Sequence, residues 1–490
     1  MKITDILSVL PFYDVTNLME GMEINTIEMD SRKVKSGDLF VCIKGYTVDG
    51  HDYVQQAVNN GAVAILAEKR LEVDVPVIIV GDTSRAAAML ATKFYNYPTR
   101  KFPLIGVTGT NGKTTVTYLL ETIFKQFKKK TGVIGTIQMK IGDDSYPVKN
   151  TTPDALFLQK VFDQMVKDNV ETGIMEVSSH ALDQGRVFGC EFDIAIFTNL
   201  SQDHLDYHKD MDDYLRAKSL LFAQLGNTYN DKQKKFAVIN QDDPVSKILK
   251  RSTAQHVLTY GCKNEAQIMA TDIQLDVTAT NFILKTPIGE IAIKSKLIGM
   301  FNVYNMLAAS AAAIAANIPL TTIKTALENI TGVSGRFEPV LAGQSFATLV
   351  DYAHTPDSLE NVLQTINGFA KQKVYVVVGC GGDRDKTKRP LMAEIALKYA
   401  DRAIFTSDNP RTEDAQSILD DMTEGLEQDH FDVITNRKEA IFKTIELAKA
   451  DDIVLIAGKG HETYQQIGDV KYDFDDRQVA REAIQAKENK

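Results

Sequence analysis

The chain has 490 residues, 44% of them hydrophobic and 24% charged, and a formal net charge of −10. A chain of that length has about three domains and can bury several cores without covalent staples. The acidic balance excludes a broad nucleic-acid surface, so an anionic ligand must be met by local donors and a bound cation.

The four cysteines, Cys42, Cys190, Cys262 and Cys380, form no CxxC pair. That argues against zinc and against a disulfide framework, and free thiols fit a reducing cytosol. The opening stretch MKITDILSVLPFYD carries Asp5 inside its apolar run and has no clear cleavage site, so it does not read as a signal peptide. The most apolar segment, MLAASAAAIAANIPL from Met306, is too short and small-sided to span a bilayer and is expected to be a packed helix.

Residues 1 to about 100 mix short strands and helices, with strands expected in GDLFVCIKG, GAVAILAEK and VPVIIVGDT. From Phe102 a strand–loop–helix rhythm sets in. PLIGVT leads through a glycine loop into the helical TVTYLLETIFKQF. TGIMEV, FDIAIFTNL and KFAVIN are further strands, LKTPIGEIAIKSKL alternates like a hairpin, and NVYNMLAASAAAIAA is a helix. TGVSGRFEPV, without periodicity, reads as a link. After it SFATLVDYA, KVYVVVG, RAIFTSD and DDIVLIAG are strands and PDSLENVLQTI a helix. Short apolar strands alternating with helices imply parallel sheets covered on both faces. The expected fold is α/β, with two larger α/β domains behind a small N-terminal one.

The unusual polar clusters follow these strands: GTNGKTT, EVSSH, NLSQDHLDYH, DYAHTP, GCGGDRDKTKR, SDNPRTED and GKGHE. Open α/β sheets bind ligands beyond the carboxyl ends of their strands, so the clusters are expected to share a cleft. Within SDNPRTED, Arg411 reads either as a solvated charge on a turn or as a substrate contact, and nothing local decides.

GVTGTNGKTT, Gly106 to Thr115, reads as a phosphate loop for ATP or GTP. Gly109 and Gly112 let the backbone of Thr110 and Asn111 curl so that N–H groups point at a phosphate, and the helix N-terminus adds its dipole. Lys113 reaches the β- and γ-phosphates, and Thr114, followed by Thr115, can bind magnesium. The spacing departs from GxxxxGK[ST], because Val107 stands where that pattern has glycine. Such an enzyme needs a further acid for the metal. Glu176 ends one strand, and Asp203, His204, Asp206 and His208 follow another. Glu176 and His204 are the metal candidates, and His208 reads as an ordinary satisfied histidine. Magnesium is favoured over zinc by the phosphate loop.

GVTGTNGKTT, MEVSSHAL, TNLSQDHLDYH, NVYNMLAA, GRFE, DYAHTPDSL and GKGHETYQ occur here in one order. Together they resemble the Mur ligase family, most closely its tripeptide-forming members, over the whole chain. The resemblance implies three domains. Residues 1–100 would form a small N-terminal α/β domain for the UDP end of the substrate, and 101–332 a central P-loop α/β ATP-binding domain. Residues 333–490 would form a C-terminal Rossmann-like α/β domain for the amino acid. It implies ATP as co-substrate and Mg2+ as cofactor. The carboxylate of a UDP-MurNAc-dipeptide attacks the γ-phosphate to give an acyl phosphate, and an amine then displaces phosphate. The partners are small molecules, with no nucleic acid and no membrane, and the enzyme is expected to be cytoplasmic and monomeric.

Residue by residue, the resemblance assigns Gly109 to Thr115 to ATP, with Lys113 and Thr114 holding the nucleotide and magnesium. Glu176 and His204 would serve a second magnesium. Ser31, Thr151, Thr152, Ser178, Gln184 and Arg186 would hold the UDP substrate. Asn302, Arg336, Asp351 and His354 would contact ATP. For Ser31, Asn302 and Asp351 the plainer reading is a turn or a cap. Lys218 alone reads as an exposed helix lysine, but the family places a carbamylated, magnesium-holding lysine there. Arg411 matches the position that, in diaminopimelate-adding relatives, reads the far carboxylate, which a bidentate arginine suits. Arg384 would add charge, and Asp408, Asn409, Pro410, Gly458 and Glu462 would surround the amino-acid head. The expectation is therefore meso-diaminopimelate rather than L-lysine. A folylpolyglutamate synthase shares the loop and the chemistry but not DNPR with GKGHE. A P-loop switch or motor protein would carry a switch signature. A non-catalytic nucleotide-binding module would not need Lys113, Glu176 and His204 together.

Overall fold

The computed structural model describes residues 1–17, 21–45, 48–148, 150–229, 234–275, 279–427 and 431–489. The chain forms two compact units. One comprises Met1–Gly106, Lys129–Ala195 and Ala223–Lys235, and the other Val107–Lys128, Ile196–Phe222 and Phe236–Lys490.

In the first unit a five-stranded sheet runs Asp14–Val15, Val77–Ile79, Ala62–Ala67, Asp38–Val41 and Ile27–Glu28 in spatial order. Only the Asp14–Val15 edge is antiparallel. The three strands expected before residue 100 are there, and the opening apolar stretch is the helix Ile3–Leu7, with Ile3, Ile6 and Leu7 in the core. Farther along, Thr172–Glu176 pairs in parallel with Thr131–Ile134. The register sets Met175 beside Ile134, so Glu176 and Gly135 leave the sheet together at its carboxyl edge.

In the second unit Phe236–Asn240, His256–Gly261 and Ile268–Leu275 pair in parallel, and the expected hairpin forms as antiparallel Thr280–Thr286 and Gly289–Ser295. The apolar segment from Met306 lies in the buried helix Met300–Ala315, which packs on the helix Lys113–Gln126. The latter buries Val116, Leu119, Leu120, Ile123 and Phe124, the i, i+3, i+4 stripe of an amphipathic helix.

The C-terminal sheet of this unit runs Glu338–Pro339, Ala347–Asp351, Ile453–Ala457, Val374–Val378, Arg402–Phe405 and Phe431–Val433. Every pairing but the first is parallel. Asp351 pairs with Ala457, and Val378 with Phe405, so the clusters that follow these strands emerge along one edge. The segment read as a plain link supplies the edge strand Glu338–Pro339. After DYAH, Thr355 caps the helix Pro356–Asn367 through a capping box with Ser358, and Pro356 takes the first turn.

A buried ion pair braces this edge from below. Arg437 Nε and Nη2 donate to the two carboxylate oxygens of Asp476 at 2.8 and 2.7 Å, and Nη2 also donates to the Ala457 carbonyl at 2.9 Å. Both side chains are wholly inaccessible to solvent. Breaking such a pair strands a charge, whereas replacing both partners with apolar groups can be neutral. Arg437→Met is expected to cost about 3–5 kcal/mol, read as a fall in the urea midpoint. The double variant Arg437→Met with Asp476→Leu should recover most of it.

Candidate active site

The phosphate loop departs from the longer pattern for a visible reason. Val107 is buried inside the strand Leu104–Thr108, and the helix starts at Lys113, so the loop is only Gly109 to Gly112. Glycine is required at both ends. Gly109 has φ 149°, and a Cβ there would lie 1.8 Å from Thr198 Oγ1. Gly112 has φ 86°, and its Cβ would lie 2.4 Å from Asn305 Oδ1. The loop is fastened from the Thr198–Ser201 segment: Asn111 N–H donates to Asn199 Oδ1 at 2.8 Å, and Thr198 Oγ1 donates to the Asn111 carbonyl at 2.6 Å. Lys113 Nζ donates to the carbonyls of Gly109 and Thr110, both at 2.8 Å.

Lys218 is not the exposed helix lysine that its local sequence suggests. It is buried, its Nζ donates to the Gly109 carbonyl at 2.8 Å, and it stands 4.3 Å from the Tyr214 ring centroid. Burial, and then the charge of Lys113, holds its pKa well below the ordinary lysine value. A neutral amine is the form that can take up carbon dioxide.

His204 sits in the left-handed region at φ 57°, a conformation that is uncommon for non-glycine residues and clusters at functional sites. Its Nε2 is 3.4 Å from Asp203 Oδ2. Asp203 was not given a role by the sequence, yet it is the buried hub here. His354 Nε2 lies 4.0 Å and Lys388 Nζ 3.9 Å from its carboxylate. Burial works against its charge, but His204, Lys388 and His354 outweigh it, so its pKa is lowered. His208 is buried beside Asp213 and packs on Tyr207 and Tyr214, as an ordinary satisfied histidine does.

The C-terminal sheet reaches this loop directly. Arg336 Nη2 donates to Thr114 Oγ1 at 3.1 Å, its guanidinium lies 4.4 Å from the Tyr352 ring centroid, and its Nε is buried without a partner. Asn111 Nδ2 and Ser201 Oγ both donate to Asp357 Oδ2, at 2.9 and 3.1 Å. Asp357, which the sequence reading did not single out, lies in the first turn of the capped helix. Asp351 accepts from the Phe337 N–H at 2.6 Å, and burial pushes its carboxyl up to about 6 against the pull of Arg336. Burial brings His354 down to about 4 even though Asp203 pulls the other way. A cavity of about 490 Å³ opens beside Arg336, with Asn302, Phe337, Leu349 and Phe369 in its wall, a size and lining suited to a small-molecule ligand. Asn302 Nδ2 donates to the Ile298 carbonyl at 2.9 Å from within the first turn of the helix Met300–Ala315, whose cap position is Gly299.

Along the same edge, Asn409 Nδ2 donates to Glu462 Oε2 at 2.9 Å, and a Cβ on Gly458 would lie 2.6 Å from Asp408 Oδ2. Arg411, at φ 53°, donates from Nη1 to the Gly382 carbonyl at 2.6 Å. A Cβ on Gly381 would lie 2.9 Å from Arg411 Nη1 and 3.9 Å from Arg384 Cγ, so the two arginines flank one glycine. Arg384 is exposed and Pro410 is buried. An unexpected hairpin, Tyr464–Ile467 with Val470–Asp473, clasps the loop. The Gln466 N–H donates to Asn409 Oδ1 at 2.9 Å, and the Gly468 N–H to the Arg411 carbonyl at 2.6 Å.

The remaining candidates belong to the first unit. Glu176 is buried and accepts from Thr136 N–H at 2.8 Å and Thr136 Oγ1 at 2.9 Å. Thr151 Oγ1 is 3.1 Å from Thr136 Oγ1, and Thr152 Oγ1 donates to the Glu176 carbonyl at 2.8 Å. Arg186 grips Gln184 Oε1 through Nε and Nη2 at 3.0 and 2.7 Å and donates to the Thr152 carbonyl at 3.1 Å. Ser178 caps the helix Ser179–Asp183. Ser31 Oγ donates to Gln56 Oε1 at 2.7 Å. Among the described residues no three His, Cys, Asp or Glu side chains gather into a metal cage. The Thr114 hydroxyl in the second unit and the Glu176 carboxylate in the first are each hard oxygen donors of the kind that magnesium takes along with waters and substrate phosphates.

Three family models match the chain: "Mur ligase family, catalytic domain" at residues 23–95, "Mur ligase middle domain" at 107–313, and "Mur ligase, glutamate ligase domain" at 335–460. A UDP-N-acetylmuramoyl-L-alanyl-D-glutamate–2,6-diaminopimelate ligase of Oceanobacillus iheyensis is 65% identical, over 99% of this chain and 100% of its own. The protein of the same name from Bacillus velezensis is 57% identical, over 99% of each. A solved structure of a ligase of that name is similar at a TM-score of 0.70 and 34% identity, over 100% of both chains.

Proposed function

We infer, from the premise that this chain belongs to the Mur ligase family, that it joins meso-diaminopimelate to UDP-N-acetylmuramoyl-L-alanyl-D-glutamate with cleavage of ATP. The observation that carries this reading is identity across almost the whole length to relatives named for that ligation. The product is a peptidoglycan precursor.

The chemistry takes two steps. A carboxylate oxygen of the dipeptide forms a bond to the γ-phosphorus as the bond to the bridging oxygen breaks and ADP leaves. The amine nitrogen of diaminopimelate then bonds to the acyl carbon, inorganic phosphate departs, and the amine gives up a proton. Carboxylate and triphosphate repel each other, so positive charge at their meeting point is the main requirement. Lys113 supplies it from the first turn of its helix, with the N–H groups of Gly109 to Thr115 around the phosphates. Arg336, bonded to Thr114, ties the C-terminal sheet to the loop, and Asn302, Asp351 and His354 line the approach of the nucleotide. Bound magnesium would neutralise phosphate charge. Thr114, His204 and Lys218 as its carbamate are the residues assigned to hold it, and Glu176 is likewise assigned to magnesium.

Ser31, Thr151, Thr152, Ser178, Gln184 and Arg186 are assigned to the UDP-dipeptide, and Arg384, Asp408 to Arg411, Gly458 and Glu462 to the amino acid. Residues 1–100, 101–332 and 333–490 are the corresponding domains. No helix among the described residues is long and apolar enough to cross a membrane, and the enzyme is assigned to the cytoplasm as a monomer. The test is ADP release by the purified protein. It should require UDP-MurNAc-dipeptide and diaminopimelate together. Release with either alone, or with L-lysine as the better amine, would count against the assignment.

A further inference from the structure

Lys459 lies inside GKGHE, and none of the roles above uses it. Its side chain is wholly enclosed, and its ammonium lies 2.9 Å from Asn409 Oδ1, 3.2 Å from Glu462 Oε2 and 3.6 Å from Asp408 Oδ1. Asn409 closes the triangle by donating to the same Glu462 oxygen at 2.9 Å. One buried cation therefore joins two loops that follow different strands of the C-terminal sheet. The cluster holds two carboxylates and one ammonium, so it is one positive charge short of neutral. An amino acid arriving with its α-ammonium supplies that charge. A lysine buried for packing alone would be paired to neutrality, because an uncompensated buried charge is costly.

We propose that Lys459 is a positioning residue that sets the orientation and charge of Glu462 as the receptor for the ammonium head of the incoming amino acid. The proposal rests on the ligase reading above. Burial and the neighbouring Asp408 push the Glu462 carboxyl up, and Lys459 and Asn409 oppose them. Tyr352 and Arg437 face Glu462 from the adjoining elements. Burial works against the charge on Asp408 as well, where Lys459, Arg437, Arg411 and His354 together hold it down. Without Lys459, Glu462 keeps its proton to higher pH, and a neutral carboxyl is a poor partner for an ammonium.

The test compares Lys459→Met and Lys459→Arg with the wild type in ADP release across pH. Lys459→Met is expected to raise KM for diaminopimelate about tenfold or more, leave KM for ATP within about twofold, and move the acid limb of kcat/KM to higher pH by about one unit. Lys459→Arg keeps a cation in place and should hold the acid limb where the wild type has it. A uniform fall in kcat with KM and the acid limb unmoved would overturn the proposal. Should Lys459→Met alone not fold, it is made in a Glu462→Gln background, which removes the acid left unpaired. There the lysine substitution should change KM for diaminopimelate by no more than about twofold, because the two residues act as a unit. A further tenfold change, or a double variant that does not fold, overturns the proposal. A wild type that releases no ADP in response to diaminopimelate overturns the ligase reading itself. An active wild type with any other pattern among the variants overturns this proposal alone.

Discussion

Arg411→Ala is expected to lower kcat/KM for diaminopimelate on the order of 10²–10³-fold while leaving KM for ATP within about twofold. The guanidinium is presented by a left-handed residue whose N–H and carbonyl are both held by the Tyr464–Asp473 hairpin, so its position is set by the fold rather than by a flexible tip. It lies beside Gly381, which the Arg384 side chain also approaches through its Cγ, and Arg411 is the cation expected to read the far carboxylate. L-Lysine, carrying an ammonium at that end, meets like charge and leaves the guanidinium without a carboxylate. Competition assays with both amines read the result. Unchanged preference in Arg411→Ala would assign the discrimination elsewhere, and a wild type favouring lysine would remove the premise.

Lys113→Ala is expected to lower kcat on the order of 10²–10³-fold, the usual cost of removing one charge-stabilising donor from a transition state, with the fold intact by circular dichroism. Lys113→Arg should not restore activity, because a planar guanidinium cannot replace a compact ammonium over a four-residue loop. In the structure Lys113 and Lys218 share the Gly109 carbonyl, and the charge of Lys113 helps hold Lys218 neutral. The substitution therefore also relieves Lys218, whose pKa should rise. A Lys113→Ala enzyme retaining a tenth of wild-type turnover would contradict the assignment of this lysine to the phosphates.

The strand–glycine loop–helix unit was legible because it is local: a strand, two glycines and a helix within one short stretch specify it, and even the departure at Val107 is explained by a loop of only Gly109 to Gly112. The parallel strands were legible as apolar runs, and of the seven clusters expected to share a cleft, DYAHTP, GCGGDRDKTKR, SDNPRTED and GKGHE follow strands of the C-terminal sheet along one edge. The short strands Asp14–Val15 and Glu338–Pro339 were not, since two-residue pairings have no periodicity to read. Neither was the Tyr464–Asp473 hairpin, whose two four-residue strands, one exposed and one half-buried, are too short for a clear periodic signal. Lys218 was misread in isolation because burial is conferred by partners far along the chain: Gly109, Lys113 and the loop they share. Asp203, Asp357 and Lys459 carried no local mark either. Each becomes a hub only when loops from separate strands converge on it.

By itself the sequence determined the glycine loop and the run of motifs that resemble the Mur ligase family, because these depend on residue types at fixed spacing within single strand–loop–helix units; the acyl-phosphate chemistry is what that resemblance implies. The tertiary structure alone decided which charges are buried together. It put Lys218 against the phosphate loop, Arg336 on Thr114, and Lys459 between Asp408 and Glu462. Desolvation and the distance between charges set what those groups can do, and both are properties of packing that no stretch of sequence contains.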